Sequence, residues 1–104
     1  MEKRIWKGKL YPGKLDDYIK IHDNIWPEML ASLEAQGISN YTIWNCGDEI
    51  IGYYECESLA EAERIKAESE VCQRWSNAMQ DIMMMEIDQI TGEKKVFKQV
   101  FKFR

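Results

Sequence analysis

The hydrophobic pattern changes period along the chain, and each change predicts an element. From Arg4 to Tyr11 it alternates, with Trp6, Gly8 and Leu10 on one face and Lys7 and Lys9 on the other, as in a strand with one side buried. Pro12-Gly13 is a turn signal. From Lys14 the period becomes helical, with Leu15, Tyr18, Ile19 and His22 at i, i+3, i+4 and i+7. Pro27 forbids one unbroken helix, because it has no N–H to donate and disfavours helical geometry at Trp26. It suits the first position of a new helix. Two helical segments are therefore expected, about 14–22 and 27–36, joined by a bend at Asp23-Asn24-Ile25-Trp26 and ended by Gly37.

Ile38 to Trp44 and Glu49 to Cys56 read as two strands around a turn at Asn45-Cys46-Gly47-Asp48. Ser58-Leu59-Ala60-Glu61 fits a capping box and opens a helix to about Glu68. Ser69 can cap again, ahead of a helix carrying Val71, Trp75, Met79, Ile82 and Met83 on one stripe. Asp88 to Lys94 is polar with a glycine and reads as a loop. Val96 to Phe103 is expected to close the fold as a strand with Phe97, Phe101 and Phe103 on one face. The order is β-α-β-β-α-β, each helical layer in two pieces. It predicts an α+β ferredoxin-like sandwich, an antiparallel sheet with helices on one side. The other face needs cover too. A second copy packed sheet against sheet supplies it, so a homodimer of the dimeric α/β-barrel type is expected.

Composition narrows the partners more than it narrows the fold. The 104 residues make a single domain, 1–104. A chain of that length buries only about 60–70% of its unfolded surface and gains from oligomerisation. Fourteen basic against eighteen acidic residues give a net charge of −4, which argues against nucleic acid or an anionic membrane as partner. Met1 to Leu10 has no apolar core of the kind a signal peptide needs, and no run approaches the ~20 apolar residues of a membrane span. A cytoplasmic protein is expected. Cys46, Cys56 and Cys72 stand apart with no Cys-x-x-Cys, which fits reduced thiols better than a redox or metal role. A single histidine rules out a multi-histidine metal site, and no metal is expected.

Candidate chemistry concentrates around the bend: Tyr18, His22, Asn24 and Trp26. His22 lies one helical turn beyond Tyr18, so the two side chains start about 5–6 Å apart on one face. Histidine is the side chain whose ordinary pKa, near ~6.5, suits proton transfer at neutral pH. A lone histidine on an apolar helix face is nevertheless more often a packing residue than a catalyst. Tyr18 by itself is amphipathic filling. The four tryptophans are core or interface residues by the same reasoning, although an indole face also suits the C–H side of a sugar ring. Met83-Met84-Met85 reads as adaptable packing. Residue chemistry alone leaves the function open.

Three blocks of sequence go further. Tyr18 to Met29, reading Tyr-Ile-Lys-Ile-His-Asp-Asn-Ile-Trp-Pro-Glu-Met, resembles the signature of the L-rhamnose mutarotase family. So do Gly37-Ile38-Ser39-Asn40-Tyr41-Thr42-Ile43-Trp44 and Val71-Cys72-Gln73-Arg74-Trp75 with Met79, Asp81 and Met83 beyond it. The blocks come in family order and span roughly residues 10–83. The resemblance implies a dimeric ferredoxin-like enzyme that equilibrates the α and β pyranose forms of a small sugar, L-rhamnose first and L-fucose as the alternative. It implies His22 as the proton-transferring residue and Tyr18, Tyr41 and Trp75 as sugar contacts. Ser76 stands where family members often carry a second tryptophan, and Glu86-Ile87-Asp88-Gln89 replaces an Asn-Pro-Asp-rich loop. Both departures fall where a sugar would be gripped, Ser76 giving a smaller and more polar wall, and they bear on the choice of sugar.

Mutarotation needs the ring oxygen protonated while the anomeric hydroxyl loses its proton, and it requires no cofactor because no electrons or groups leave. His22 is assigned the ring-oxygen proton. Tyr18, Tyr41 or an ordered water would orient the anomeric hydroxyl, since a phenol with pKa near ~10 is a poor base at neutral pH. Two other classes compete: a haem-binding ferredoxin-like dimer that ligates through His22, and a sugar-binding module without catalysis.

Overall fold

The structure, a computed structural model, describes residues 1–104. Its elements follow the order β1 (Glu2–Leu10), α1 (Leu15–Asp23), α2 (Pro27–Ala35), β2 (Ser39–Cys46), β3 (Glu49–Cys56), α3 (Leu59–Ala67), α4 (Glu70–Met79) and β4 (Met83–Met85). The strands form one sheet in the order β2-β3-β1-β4, and every pairing is antiparallel. This is the expected ferredoxin-like arrangement.

Alternation along β1 sets the two faces of the sheet. Leu10 on β1 and Ile50 on β3 join Tyr18 and Met79 in a core cluster under the helices, with Trp6, Leu15, Trp75 and Met83 packed against it. A second cluster, Tyr54, Cys56 and Ala62, lies toward α3. Lys7 and Lys9 take the opposite side, where Lys7 pairs with Glu49 and Glu86 and Lys9 with Asp48. At the centre Trp6 sits directly across from Gly52 in the β1–β3 register. A Cβ on residue 52 would overlap the Trp6 indole, so the missing side chain lets the ring lie over the neighbouring strand.

The bend forms where proline requires it. Trp26 is extended (φ −61°, ψ 136°), and Pro27 is the first residue of α2. Gly37 takes a positive φ of 74° just past the helix end, a conformation open to it for want of a Cβ. Ser58 caps α3 by accepting the Glu61 N–H at 3.1 Å. The reciprocal half of the expected box is replaced, because the Glu61 carboxylate turns to Arg64. Ser69 caps α4 through the Cys72 N–H. A buried polar knot of Ser32, Gln36 and Cys72 then fastens α2 to α4, with Ser32 Oγ 3.2 Å from Cys72 Sγ.

Two expectations at the end of the chain are corrected. The α4 stripe stops at Met79, and Met83 belongs to β4, whose three residues pair with Gly8, Lys9 and Leu10. Gly8 makes room for the Met83 side chain, which a Cβ there would meet. Val96–Phe103 is not a strand. It alternates like one, but the edge of the sheet beside β1 is already taken by β4, and a strand exists only through a neighbour. Val96, Val100, Phe101 and Phe103 are exposed, while Phe97 and Lys98 line a groove of about 550 Å³ over the open face of the sheet. The loop at Asp88–Lys94 is present, with the Asp88 carboxylate accepting the Ile90 and Thr91 N–H groups. No helix is long and apolar enough to cross a membrane.

Gly52→Ala should lower the stability of the fold by about 1–3 kcal/mol through overpacking against the indole. Urea unfolding measures it, and an unshifted midpoint would mean that Trp6 does not depend on this seat.

Candidate active site

The i, i+4 spacing on α1 stacks the Tyr18 and His22 rings, with centroids 4.2 Å apart and planes inclined by 23°. The same turn brings His22 Nδ1 to 2.9 Å from the Tyr18 carbonyl oxygen. A carbonyl only accepts, so Nδ1 carries the proton in the neutral ring and Nε2 carries the lone pair. No group of the chain bonds Nε2. Burial lowers the His22 pKa below its ordinary 6.5, outweighing the opposing pull of the Tyr18 carbonyl and of Asp23. The resting imidazole is therefore neutral at pH 7, with one nitrogen fixed and the other available as a base.

Aromatic rings wall this imidazole. Trp75 on α4 meets His22 edge-on at 5.3 Å, and Trp26 meets Trp75 the same way at 5.2 Å. The bend at Pro27 thus places the residue before it against α4. Arg74 tightens that junction by bonding Glu28 at 2.6 Å while its guanidinium lies over the Trp26 ring at 5.8 Å. Both charged ends are more than half exposed, so the pair orients more than it stabilises.

The sheet contributes the phenols' surroundings. Tyr18 is 5% exposed; burial raises its pKa, and Tyr41 is near enough that its charge would raise it further. Tyr41 packs at 5.1 Å against Tyr54, and its hydroxyl accepts the Trp6 indole N–H at 2.9 Å. A third of its surface meets solvent, and burial of the rest pushes the phenol up to about 12. Both tyrosines are hydrogen-bonding alcohols at physiological pH, not bases.

Tyr18, His22 and Trp75 are thus brought into one cluster, which Tyr41 adjoins through Trp6, its hydrogen-bond partner and a neighbour of the core around Tyr18. Ser76 is not: it lies exposed on α4, one step around the helix from Trp75 and without a hydrogen bond from its side chain. Trp6 is the member that sequence reasoning passed over. Alternation put it on the helical side of β1, but only the register opposite Gly52 shows that its N–H reaches Tyr41. No group of three or more His, Cys, Asp or Glu side chains is placed to hold a metal. The groove on the open face and a second of about 230 Å³ beside the start of α1 both lie away from this cluster. Neither is lined by His22, the one side chain whose ordinary pKa suits proton transfer at neutral pH.

The fold and the cluster together define a ferredoxin-like domain built around one neutral, half-buried histidine. Comparison with known proteins gives it a family. The family model described as L-rhamnose mutarotase matches residues 4–103. The chain is 43% identical over 76 residues to the L-rhamnose mutarotase of Listeria monocytogenes, covering 71% of this chain and 72% of that one. It is 38% identical over 85 residues to that of Pectobacterium carotovorum, covering 80% and 81%. In fold it resembles the crystal structure of an L-rhamnose mutarotase from Formosa agariphila, with a TM-score of 0.78, 23% identity and full coverage of both chains. The chain belongs to the L-rhamnose mutarotase family.

The depressed basicity of His22 has a testable sign. Between the folded pKa and the ordinary value of 6.5, the unfolded chain binds more protons, so stability falls as pH drops through that window. Ring ¹⁵N and ¹³C resonances should titrate with a midpoint below 6.5 and show the Nδ1–H tautomer at neutral pH. A midpoint above that value would remove the neutral base.

Proposed function

We propose that this chain interconverts the α and β pyranose anomers of L-rhamnose, with His22 as the proton carrier. The observation that carries the reading is the unpartnered Nε2 of a neutral His22, walled by Tyr18 and Trp75. Family membership supplies the reaction class, and the relatives' names favour L-rhamnose over L-fucose. Nε2 takes the proton from the anomeric hydroxyl as the bond from the anomeric carbon to the ring oxygen breaks. The imidazolium then returns that proton to the departing ring oxygen, a short step away on the same carbon. The free aldehyde rotates about one bond, and the steps reverse on its other face. Atoms balance with no cofactor. Tyr41 and Tyr18 donate hydrogen bonds to the oxygen that gains charge, and the indole of Trp75 packs on the C–H side of the ring. Ser76 borders this wall from the exposed side.

A positioned acid–base group is worth about 10²–10⁴-fold. His22→Ala should lose that acceleration of L-rhamnose anomer exchange, measured by saturation-transfer proton NMR, while keeping its circular dichroism. Wild-type exchange rates in the folded variant would sink the assignment.

The working form is a homodimer, sheet against sheet, in a compartment reducing enough to suit three free cysteines. Support comes from the open face, where Ile5, Trp44, Ile51 and Met84 leave apolar surface in water, Trp44 with 69% of its own. Trp44→Glu should shift sedimentation from dimer to monomer. A monomeric wild type, or a dimer indifferent to this change, would place the partner elsewhere.

A further inference from the structure

Tyr41 stands at a break in the register of β2, which contains one residue more than β3 across this stretch. Ser39 pairs with Glu55, yet the next pairing is Thr42 with Tyr53, so three steps on β2 match two on β3. If the register of Ser39 with Glu55 ran on unbroken, strict alternation would turn Tyr41 and Ile43 to the open face of the sheet, and the bulge breaks that register. With the bulge, both point under the helices: Ile43 packs on the core cluster, and Tyr41 meets Tyr54 and Trp6. The bulge is held by two features of Asn40. Its φ is +51°, the only positive φ on a non-glycine residue in the chain and one that asparagine tolerates far better than β-branched residues. Its side-chain amide donates at 2.7 Å to Glu55, whose other carboxylate oxygen accepts the Tyr53 hydroxyl.

Trp6 then sets the polarity of what the bulge delivers. The indole N–H can only donate, and it donates to the Tyr41 oxygen. The phenol proton is thereby left free to donate onward, away from Trp6.

We propose that Asn40 and Trp6 are positioning residues for the mutarotase reaction, Asn40 by aiming Tyr41 through the bulge and Trp6 by fixing its hydroxyl as a donor toward the sugar. This rests on the reading of Tyr41 as a sugar contact. Gly52 belongs to the same device, since its bare backbone is the seat on which the indole lies.

The test combines anomer-exchange kinetics on L-rhamnose with the Trp6 indole N–H resonance, which reports the geometry without reference to activity. Asn40→Val should lower the exchange rate about tenfold to hundredfold and shift the indole resonance, as a displaced hydroxyl would. Asn40→Gly, which adopts the same φ, should restore most of both. Trp6→Phe should cost a similar factor in wild type and almost nothing further on top of Tyr41→Phe, because it acts through that hydroxyl. Additive losses in the double variant would make Trp6 a packing residue only and overturn its assignment. A resonance that moves in Asn40→Val while exchange stays at the wild-type rate would overturn the role of the bulge. Absence of wild-type acceleration is a separate result: it sinks the functional reading and this proposal together, and no pattern among the variants can imitate it.

Discussion

The Trp6 indole lying over Gly52 is the contact on which most of the remaining architecture depends. It pairs the largest side chain with the absence of one at the centre of the sheet, between the two interior strands. The ring thereby spans from β1 across β3 toward β2, far enough for its N–H to reach a hydroxyl there. It also packs against both core clusters, so the same side chain joins the two halves of the layer under the helices. A smaller residue at position 6 would leave a gap in that layer, and a larger one at 52 would lift the ring off the strand. Dense packing makes such a position intolerant of volume change in either direction.

The helical layer is organised around a second constraint, the proline that splits it. Because Pro27 cannot continue α1, the chain turns at Trp26 and begins again as α2. The turn leaves Trp26 facing Trp75, and Trp75 facing His22, in a chain of edge-on contacts. The polar knot of Ser32, Gln36 and Cys72 and the Arg74–Glu28 pair hold α2 and α4 in that relation from two sides. An aromatic wall assembled in this way is rigid without any long hydrogen-bonded network, and it keeps His22 partly out of water, which is what depresses its pKa.

Much of this was legible in the sequence, and the misses share a cause. Elements defined by their own periodicity or punctuation were readable: β1, the split at Pro27, the caps at Ser58 and Ser69. The pairing of Tyr18 with His22 followed from one helical turn. What failed depends on a neighbour. Val96–Phe103 alternates well enough to be a strand, but pairing is a relation between segments, and β4 occupies the edge it would have used. Met83–Met85 carries no periodic signal strong enough to separate a strand from the end of a helix, since methionine packs adaptably in either. The bulge at Asn40 was equally hidden. Nothing in a run of alternating residues announces that the count has slipped by one, and only the register against β3 shows it.

That slip bears on the proposed site, which draws residues from both layers. A histidine on an amphipathic helix, however well placed, supplies one proton carrier. Stabilising the charge that appears on a sugar oxygen requires a donor approaching from a different direction, and α1 has none beyond Tyr18, which is stacked on the same ring. The sheet can provide one only from a strand residue on the helical face near the site. Alternation running on unbroken from the Ser39–Glu55 pair would have spent Tyr41 on the open face, among its exposed apolar residues. The bulge in β2 breaks that count, and the Trp6 indole N–H donates to the Tyr41 hydroxyl. The proposed acid–base site therefore depends on the sheet register as well as on the helix that carries the histidine.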